Sequence, residues 1–299
     1  MSRKVQNYNL FADFAYYVPG VGGMFMLLAL LLCGVGVGSL IAALLMPILG
    51  MAVGTLISYV LMFIPPMFYA LSQSHRNSMW GEGVALSSFH VKPLTGLIVA
   101  LLVSVATISA AFMTDLISSL MPEMPQSLKD ALSVATDGNI VLNLLTVSVF
   151  APLCEEWLCR GEVLRGLLNH KREDGSTMNP VWAIVISAAF FAVIHMNPWQ
   201  AIPAFILGCL FGYVYYKTGS LWLTMLMHCV NNTVAVIVSH VDSMKDYDSW
   251  VELLGMSRYM VAFVVAALML GAFFFLFQRI KVLRPEGNSD RILSETAAE

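Results

Sequence analysis

Long apolar runs, separated by short polar or Gly- and Pro-containing stretches, recur along the whole chain. A transmembrane helix needs roughly 20 mainly apolar residues, a length that about eight of these runs approach. The boundary between the first two runs crosses a Gly-rich stretch and is the least sharply marked. The pattern predicts an all-α, polytopic membrane bundle of about eight transmembrane helices, at residues 22–47, 52–72, 95–115, 139–165, 180–196, 199–217, 220–239 and 258–279.

The composition supports a membrane protein, because 58% of the 299 residues are hydrophobic and only 12% are charged. A mean hydropathy of +0.76 leaves no material for a sizeable water-soluble domain. The net charge of −3 and the scattered basic residues exclude a nucleic-acid partner. The lipid bilayer is the expected surroundings of the functional part.

Basic residues near span ends stay on the cytoplasmic side of a membrane, and this rule gives the chain an orientation. The connections at 115–138 and 240–257 are acidic and are predicted to lie outside. Eight spans then place both termini in the cytoplasm, and the short loops favour the inner membrane of a bacterium. The basic residues of the alternate connections are Arg3, Lys4, Arg76, Lys92, Arg165, Lys171, Arg172, Lys217, Arg279, Lys281 and Arg284.

Polar side chains interrupt three of the later apolar runs. An ionisable group near the bilayer centre costs roughly 2.5–3.5 kcal/mol on insertion scales, so such residues indicate function. Several of them together strengthen that interpretation. They are Glu155, Glu156 and Arg160 in the fourth span, His195 at the end of the fifth, and His228, Asn231 and Asn232 in the seventh.

Residues four apart share one face of a helix, so Glu156 can form an ion pair with Arg160. Glu155, about 100° round the helix, then points elsewhere and is left free. We expect the ion pair to fix the helix. The alternative for Glu155 is a purely structural role, as a second partner of Arg160 or as a partner of Arg165.

The same spacing applies to the other two polar spans. Phe191 lies one turn below His195, where an aromatic ring would shield a pocket by packing. On the seventh span, Asn232 shares a face with His228, whereas Asn231 lies about 100° away. The spacing therefore favours Asn232 over Asn231 as the amide that faces a common site.

Depth gives a second argument for one site. Glu155 lies 14 residues from Asn169, and His195 lies 15 residues from Pro180. At a rise of about 1.5 Å per residue, both are roughly 21–22 Å above the cytoplasmic edge, and Asn232 is about 18 Å above it. A single site in the outer half of the membrane can contain these groups.

Three short segments resemble a known family. The segments EEWLCR (155–160), FAVIH (191–195) and HCVNN (228–232) match its EExxxR, FxxxH and HxxxN motifs, in order and on consecutive predicted spans. This is the CPBP family, the CAAX-protease and bacteriocin-processing group also called Abi. The likeness extends to TGSLW (218–222), with Gly208 and Gly212 as a GxxxG pair that indicates close helix contact.

The resemblance implies an intramembrane endopeptidase whose catalytic core is residues 139–240, between N-terminal helices at 1–138 and an outer loop, last helix and polar tail at 241–299. It implies that Glu155 and His195 activate a water while His228 and Asn232 hold the oxyanion. Glu156, Arg160 and Phe191 then support the site. A carboxylate beside an imidazole is a sensible base for this reaction.

The resemblance leaves the cofactor open between none and one Zn²⁺. Glu155, His195 and His228 are a plausible ligand set for a catalytic zinc with one open position. The absence of an HExxH sequence slightly favours the metal-free scheme.

The substrate implied is a membrane-associated or lipidated protein or peptide. Maturation of a leader peptide, a bacteriocin or a membrane-associated protein fits as well as cleavage of a prenylated CAAX protein. One rival function is a proton- or cation-coupled transporter, which predicts polar residues along the full membrane depth. Another is a catalytically silent immunity or scaffold protein, which would tolerate loss of the motif residues.

Overall fold

A computed structural model describes residues 10–81, 83–87, 93–130, 139–244, 247 and 249–280. These residues are mostly helical, and the described ranges contain no strand. The predicted all-α class is confirmed. The principal helices are α1 (Val21–Leu49), α2 (Met51–Asn77), α3 (Pro93–Ser118), α4 (Ile140–Asn169), α5 (Pro180–Val193), α6 (Pro198–Thr218), α7 (Leu221–His240), α8 (Trp250–Leu254) and α9 (Met256–Phe277).

Within the described ranges, seven of these helices are long and apolar enough to cross a membrane, and α5 is a shorter apolar helix. Together they match the predicted arrangement of about eight spans, and the protein is an integral, multi-pass membrane protein. Several basic residues used for the orientation, among them Arg3, Lys4, Lys92, Lys281 and Arg284, lie outside the described residues.

A single residue, Gly50, separates α1 from α2 and settles the uncertain boundary in the Gly-rich stretch. Its φ of +81° is a backbone conformation that few residues other than glycine adopt, which allows the chain to reverse at once. The N–H of Gly50 donates to the carbonyl of Met46 at 2.9 Å, which ends α1. The two helices therefore form a hairpin.

Helix α4 is not a regular α-helix. Wider, π-type turns run over Leu144–Phe150 and Trp157–Leu164, on either side of the α-helical turns at Ala151–Glu156. Pro152 has no N–H to donate to the preceding turn, which gives one local reason for the first irregularity. Such wide turns often occur at functional sites, and here they flank both glutamates.

Helices α5 and α6 pack closely, as the GxxxG pair predicts. A Cβ atom at Gly208 would lie 3.1 Å from the Cβ of Ala188, and one at Gly212 would lie 3.0 Å from Ile184. The missing side chains therefore allow the two helices to approach. The predicted fifth span is too long, because α5 ends at Val193.

The apolar side chains form two clusters that share α6 and α7. One cluster joins the α1–α2 hairpin to α4 and α5. The other joins α3 and α9 to the opposite faces of α6 and α7. Ser220 caps α7 by accepting a hydrogen bond from the N–H of Leu223, as its position after α6 predicts. Helices α4 and α7 meet between the two clusters.

The prediction that Arg165 lies in the connection after the fourth span is wrong. Arg165 is completely buried near the end of α4, where its Nη2 atom lies 3.0 Å from Oε2 of Glu162. The guanidinium also donates to the carbonyls of Tyr17 at 2.6 Å and Val84 at 2.7 Å. The arginine therefore holds the segment before α1 and the segment after α2 against α4.

We expect replacement of Arg165 by Met to lower the free energy of unfolding by about 3–5 kcal/mol, because Glu162 would remain buried without its cation. Thermal unfolding of the detergent-purified protein measures the change. The matched control is Arg172→Met, since Arg172 is exposed in the loop after α4. Equal unfolding temperatures for the two variants would contradict the anchoring role of Arg165.

Candidate active site

The predicted site residues come from the middle of α4, the end of α5 and the turn after it, and α7. Glu155 and Glu156 lie halfway along α4, between its two wide stretches. His228 and Asn232 are one turn apart on α7, which packs against this part of α4. His195 lies in the turn just beyond the end of α5, and not in the helix as predicted.

Glu156, Arg160 and His228 form a buried, hydrogen-bonded group. Oε1 of Glu156 accepts from Nη1 of Arg160 at 2.7 Å and lies 3.0 Å from Nδ1 of His228. The predicted ion pair between Glu156 and Arg160 is thus confirmed. A carboxylate can only accept, so Nδ1 of His228 carries the hydrogen and the other ring nitrogen, Nε2, is directed away.

Arg160 is held from other directions as well. Its Nη2 atom donates to the carbonyl of Gly208 at 3.2 Å, which links α4 to α6. Its guanidinium carbon lies 4.5 Å from the ring centroid of Phe191 and 5.3 Å from that of Phe211. These contacts place the one cation of the group between two aromatic faces, where it is well shielded from lipid.

Glu155 faces a different set of partners. Its Oε1 accepts a hydrogen bond from the hydroxyl of Tyr59 on α2. Its Oε2 is buried, has no hydrogen-bond partner among the described residues, and lies 3.9 Å from Nε2 of His228. One oxygen of the carboxylate is therefore hydrogen-bonded, and the other faces an imidazole that is too distant for a direct hydrogen bond.

His195 is partly exposed and does not bond directly to Glu155 within the described ranges. Its Nδ1 atom lies 2.8 Å from the carbonyl oxygen of Phe191 and must donate to it, and Nε2 has no hydrogen-bond partner among the described residues. The amide of Asn197 donates to the carbonyl of His195 at 2.9 Å. Between them, Met196 has a φ of 56°, a strained conformation for a residue other than glycine.

The ring of Phe191 links the two histidines. Its centroid lies 5.0 Å from that of His195 and 5.4 Å from that of His228, nearly perpendicular in both cases. Because it also contacts Arg160, this one aromatic side chain lies among three of the predicted site residues. Its role in packing follows from these contacts.

Asn232 ties α7 to α4. Its Nδ2 atom donates to the carbonyl of Val147 at 2.7 Å, and its Oδ1 accepts from Nδ2 of Asn231 at 3.0 Å. Pro152 has no N–H for the carbonyls of the turn before it, and inside a membrane another polar group must satisfy them. The Asn232 side chain provides that donor, and its second amide hydrogen has no partner within the described ranges.

Tyr59 and Glu162 are polar residues near the site that the sequence pattern did not indicate. Tyr59 lies in an apolar run outside the three motifs, and no local signal links it to Glu155. Glu162 is completely buried two turns beyond Glu155, where it pairs with Arg165. Buried charged residues therefore occur at two places along α4, and not at the one depth that was predicted. In the second place, near the end of the helix, Arg165 of the Glu162–Arg165 pair donates to backbone carbonyls.

The geometry does not favour a metal on the predicted ligand set. Among the described residues, no three His, Cys, Asp or Glu side chains are grouped so that they could hold a metal ion. Each imidazole packs against the ring of Phe191, with centroid distances of 5.0 Å for His195 and 5.4 Å for His228. We therefore derive no chemistry that passes through a metal.

A comparison with protein families matches residues 137–234 to the family described as Type II CAAX prenyl endopeptidase Rce1-like. This segment is an Rce1-like domain of the CPBP family. The resemblance drawn from the three motifs is thereby confirmed. The match covers about a third of the chain, from the start of α4 to the middle of α7. No curated protein and no solved structure matches the chain.

The Rce1-like domain implies a protease of the CAAX type, and the apolar helices place that domain in a membrane. The polar groups described above lie within it, except for Tyr59, since α2 precedes the matched residues.

We expect replacement of Asn232 by Leu to destabilise the protein by about 1–3 kcal/mol, because the carbonyl of Val147 would lose its donor. Asn231→Leu is the matched control, since in the part of the chain that the structure describes Asn231 donates to its neighbour's side chain alone, and its loss should cost clearly less. Thermal unfolding in detergent compares the two variants. A larger loss for Asn231→Leu would show that the wrong amide has been assigned to α4.

Proposed function

We propose that the protein is an intramembrane endopeptidase that hydrolyses a peptide bond of a membrane-associated or lipidated protein or peptide. The observation that carries the proposal is the free, buried Oε2 of Glu155, which lies 3.9 Å from Nε2 of His228. A water at ordinary hydrogen-bond distances of about 2.8 Å can bridge a gap of this size. We propose that the nucleophilic water occupies this position.

In the proposed reaction, Glu155 accepts a proton as the oxygen of the bridging water attacks the carbonyl carbon of the substrate. The proton then passes to the amine nitrogen as the peptide bond breaks. A positioned general base of this kind contributes roughly 10²–10⁴-fold to a rate. The motif resemblance paired Glu155 with His195, but the distances favour His228 as the imidazole beside this water.

Glu156 and Arg160 orient His228 in this scheme. The bond from Nδ1–H to Glu156 selects the tautomer of the ring and keeps Nε2 directed at Glu155. Arg160 compensates the charge of Glu156, so the orienting carboxylate can remain buried. This arrangement of a carboxylate, an imidazole and a reacting group follows the logic of a catalytic triad.

We assign stabilisation of the oxyanion to His195 and Asn232. In the described part of the chain, Asn232 keeps one amide hydrogen without a partner, whereas Nε2 of His195 can donate only when the ring is protonated, because Nδ1 already carries a hydrogen. A donor directed at the developing negative charge is worth about 10²–10³ in kcat. His195 also lies at the partly exposed edge of the site, which suits contact with an entering substrate.

The location of the site supports a membrane-bound substrate. Helix α5 has 14 residues, or about 21 Å, which is shorter than the roughly 30 Å hydrocarbon core. We therefore propose that the turn that carries His195 lies below the membrane surface, at the depth of Glu155. We propose that both termini are cytoplasmic, in the inner membrane of a bacterium, as the distribution of basic residues favours.

Glu155→Gln should abolish cleavage, because an amide cannot act as the base although it can still accept the Tyr59 hydrogen bond. The measurement compares the peptide termini in membranes of cells that produce the wild type, Glu155→Gln or the control Glu173→Gln. Glu173 is exposed in the loop after α4. We expect a set of termini that wild type and control share and that the Glu155 variant lacks.

Two outcomes would contradict the proposal. Identical termini from the wild type and the Glu155 variant would remove the peptidase mechanism. The same conclusion would follow if cells with the wild type and cells without the protein had identical peptide termini. A transporter or scaffold function would then be preferred. Unfolding temperatures of the purified variants show whether any loss reflects the base or the fold.

The metal-free scheme predicts that chelation leaves cleavage unchanged. Purified protein is treated with a zinc chelator, its metal content is measured, and cleavage of a peptide spanning one of the identified sites is followed. Full activity without bound metal is expected. Loss of activity on chelation with recovery on addition of zinc would replace the proposed scheme with one in which Glu155, His195 and His228 rearrange around the ion.

A further inference from the structure

Tyr59 contacts the proposed base from outside the Rce1-like domain. Its hydroxyl donates to Oε1 of Glu155, and α2 lies well before the matched residues 137–234. No other hydrogen-bond donor reaches Glu155 in the described part of the chain. The proposed active site is therefore completed by a helix that belongs to the N-terminal hairpin.

This single contact has a clear chemical consequence. The last torsion of a glutamate side chain is broad and does not by itself fix the carboxylate plane. A hydrogen bond on Oε1 restricts that torsion and determines the direction of Oε2. In the structure the second oxygen then faces Nε2 of His228 at 3.9 Å.

We infer that Tyr59 is a positioning residue, which holds Glu155 so that its free oxygen shares a water with His228. The inference rests on the proposed peptidase function and extends it to a residue outside the three motifs. Tyr59 acts through Glu155 and need not contact the substrate. Loss of its hydroxyl should therefore affect the rate of the chemical step more than substrate binding.

Helix α1 packs against the backbone of α2 next to Tyr59. A Cβ atom at Gly38 would lie 2.7 Å from the backbone carbonyl oxygen of Ser58, so α1 and α2 touch beside the tyrosine. Gly34, one turn earlier on α1, approaches the backbone of Met62 in the same way. The Tyr59 ring also packs on Phe63, with 5.6 Å between centroids. The position of the hydroxyl thus depends on the packing of the hairpin.

The test is Tyr59→Phe, which removes the hydroxyl and keeps the ring. The full-length protein is reconstituted in liposomes. Its substrate in the assay is a synthetic peptide that spans a cleavage site identified by the Glu155→Gln comparison. We expect kcat to fall about 10- to 100-fold with little change in KM, the range that a small misplacement of a reacting group produces.

The matched control is Tyr259→Phe. Tyr259 is buried, and its hydroxyl donates to the carbonyl of Phe112 at 2.8 Å, so the substitution also removes one hydrogen bond within the membrane. It joins α9 to α3 and contacts none of the site residues described above. We expect a similar change in unfolding temperature for the two variants but an unchanged kcat for Tyr259→Phe.

A second pair of variants tests the support from α1. Gly38→Ala introduces a methyl group against the α2 backbone, whereas the same substitution at Gly36 meets nothing within 4 Å. Gly38→Ala should lower kcat in the same direction as Tyr59→Phe, and Gly36→Ala should leave it unchanged. The lack of an added effect when Gly38→Ala is combined with Tyr59→Phe would support action through the hydroxyl.

The outcomes separate this inference from the function on which it rests. Loss of cleavage in Glu155→Gln together with a normal kcat in Tyr59→Phe would overturn only the role of Tyr59. Equal losses of kcat in Tyr59→Phe and Tyr259→Phe would reduce that role to general stability. Normal cleavage by Glu155→Gln, or no cleavage site for the wild type, would overturn both the peptidase and the positioning role.

Discussion

The ion pair between Glu156 and Arg160 lowers the free-energy cost of burying the polar site inside a membrane. A carboxylate buried without compensation would cost several kcal/mol, and two adjacent ones would repel each other. Arg160 compensates one of them and is itself held by the carbonyl of Gly208 and the ring of Phe191. Glu155 can then be left uncompensated, which is the state that a general base requires.

The irregular backbone of α4 distributes these groups in space. A regular helix would satisfy its own carbonyls and offer none to its neighbours. The wide turns and Pro152 instead leave the Val147 carbonyl to Asn232, which fastens α7 beside the glutamates. His228, one turn earlier on α7, is thereby brought between Glu155 and Glu156. The irregular backbone of α4 thus contributes to bringing the site residues together.

A different set of contacts holds the C-terminal end of α4. Arg165 collects carbonyls from the segments before α1 and after α2, and Glu162 supplies the compensating charge. The N-terminal hairpin is therefore connected to α4 twice, at the end of the helix through Arg165 and at its centre through Tyr59. This double connection explains how a helix outside the Rce1-like domain can influence the proposed base.

The sequence alone determined the class of fold, because runs of about 20 apolar residues have few stable alternatives to transmembrane helices. It also determined the ion pair of Glu156 with Arg160, since spacing within one helix fixes which side chains can meet. The family followed from three motifs in order, whereas the burial of Arg165 did not follow from the rule for basic residues. That rule describes loops and cannot detect carbonyls gathered from distant segments.

Only the tertiary structure decided which imidazole faces Glu155 and which residue holds it. Helical arithmetic placed His195 at the level of Glu155, but α5 ends two residues before His195, and its ring turns to the carbonyl of Phe191. Tyr59 is 96 residues from Glu155 along the chain, so no periodicity relates them. Contacts between helices depend on how their surfaces fit together, and spacing along one helix contains no information about that fit.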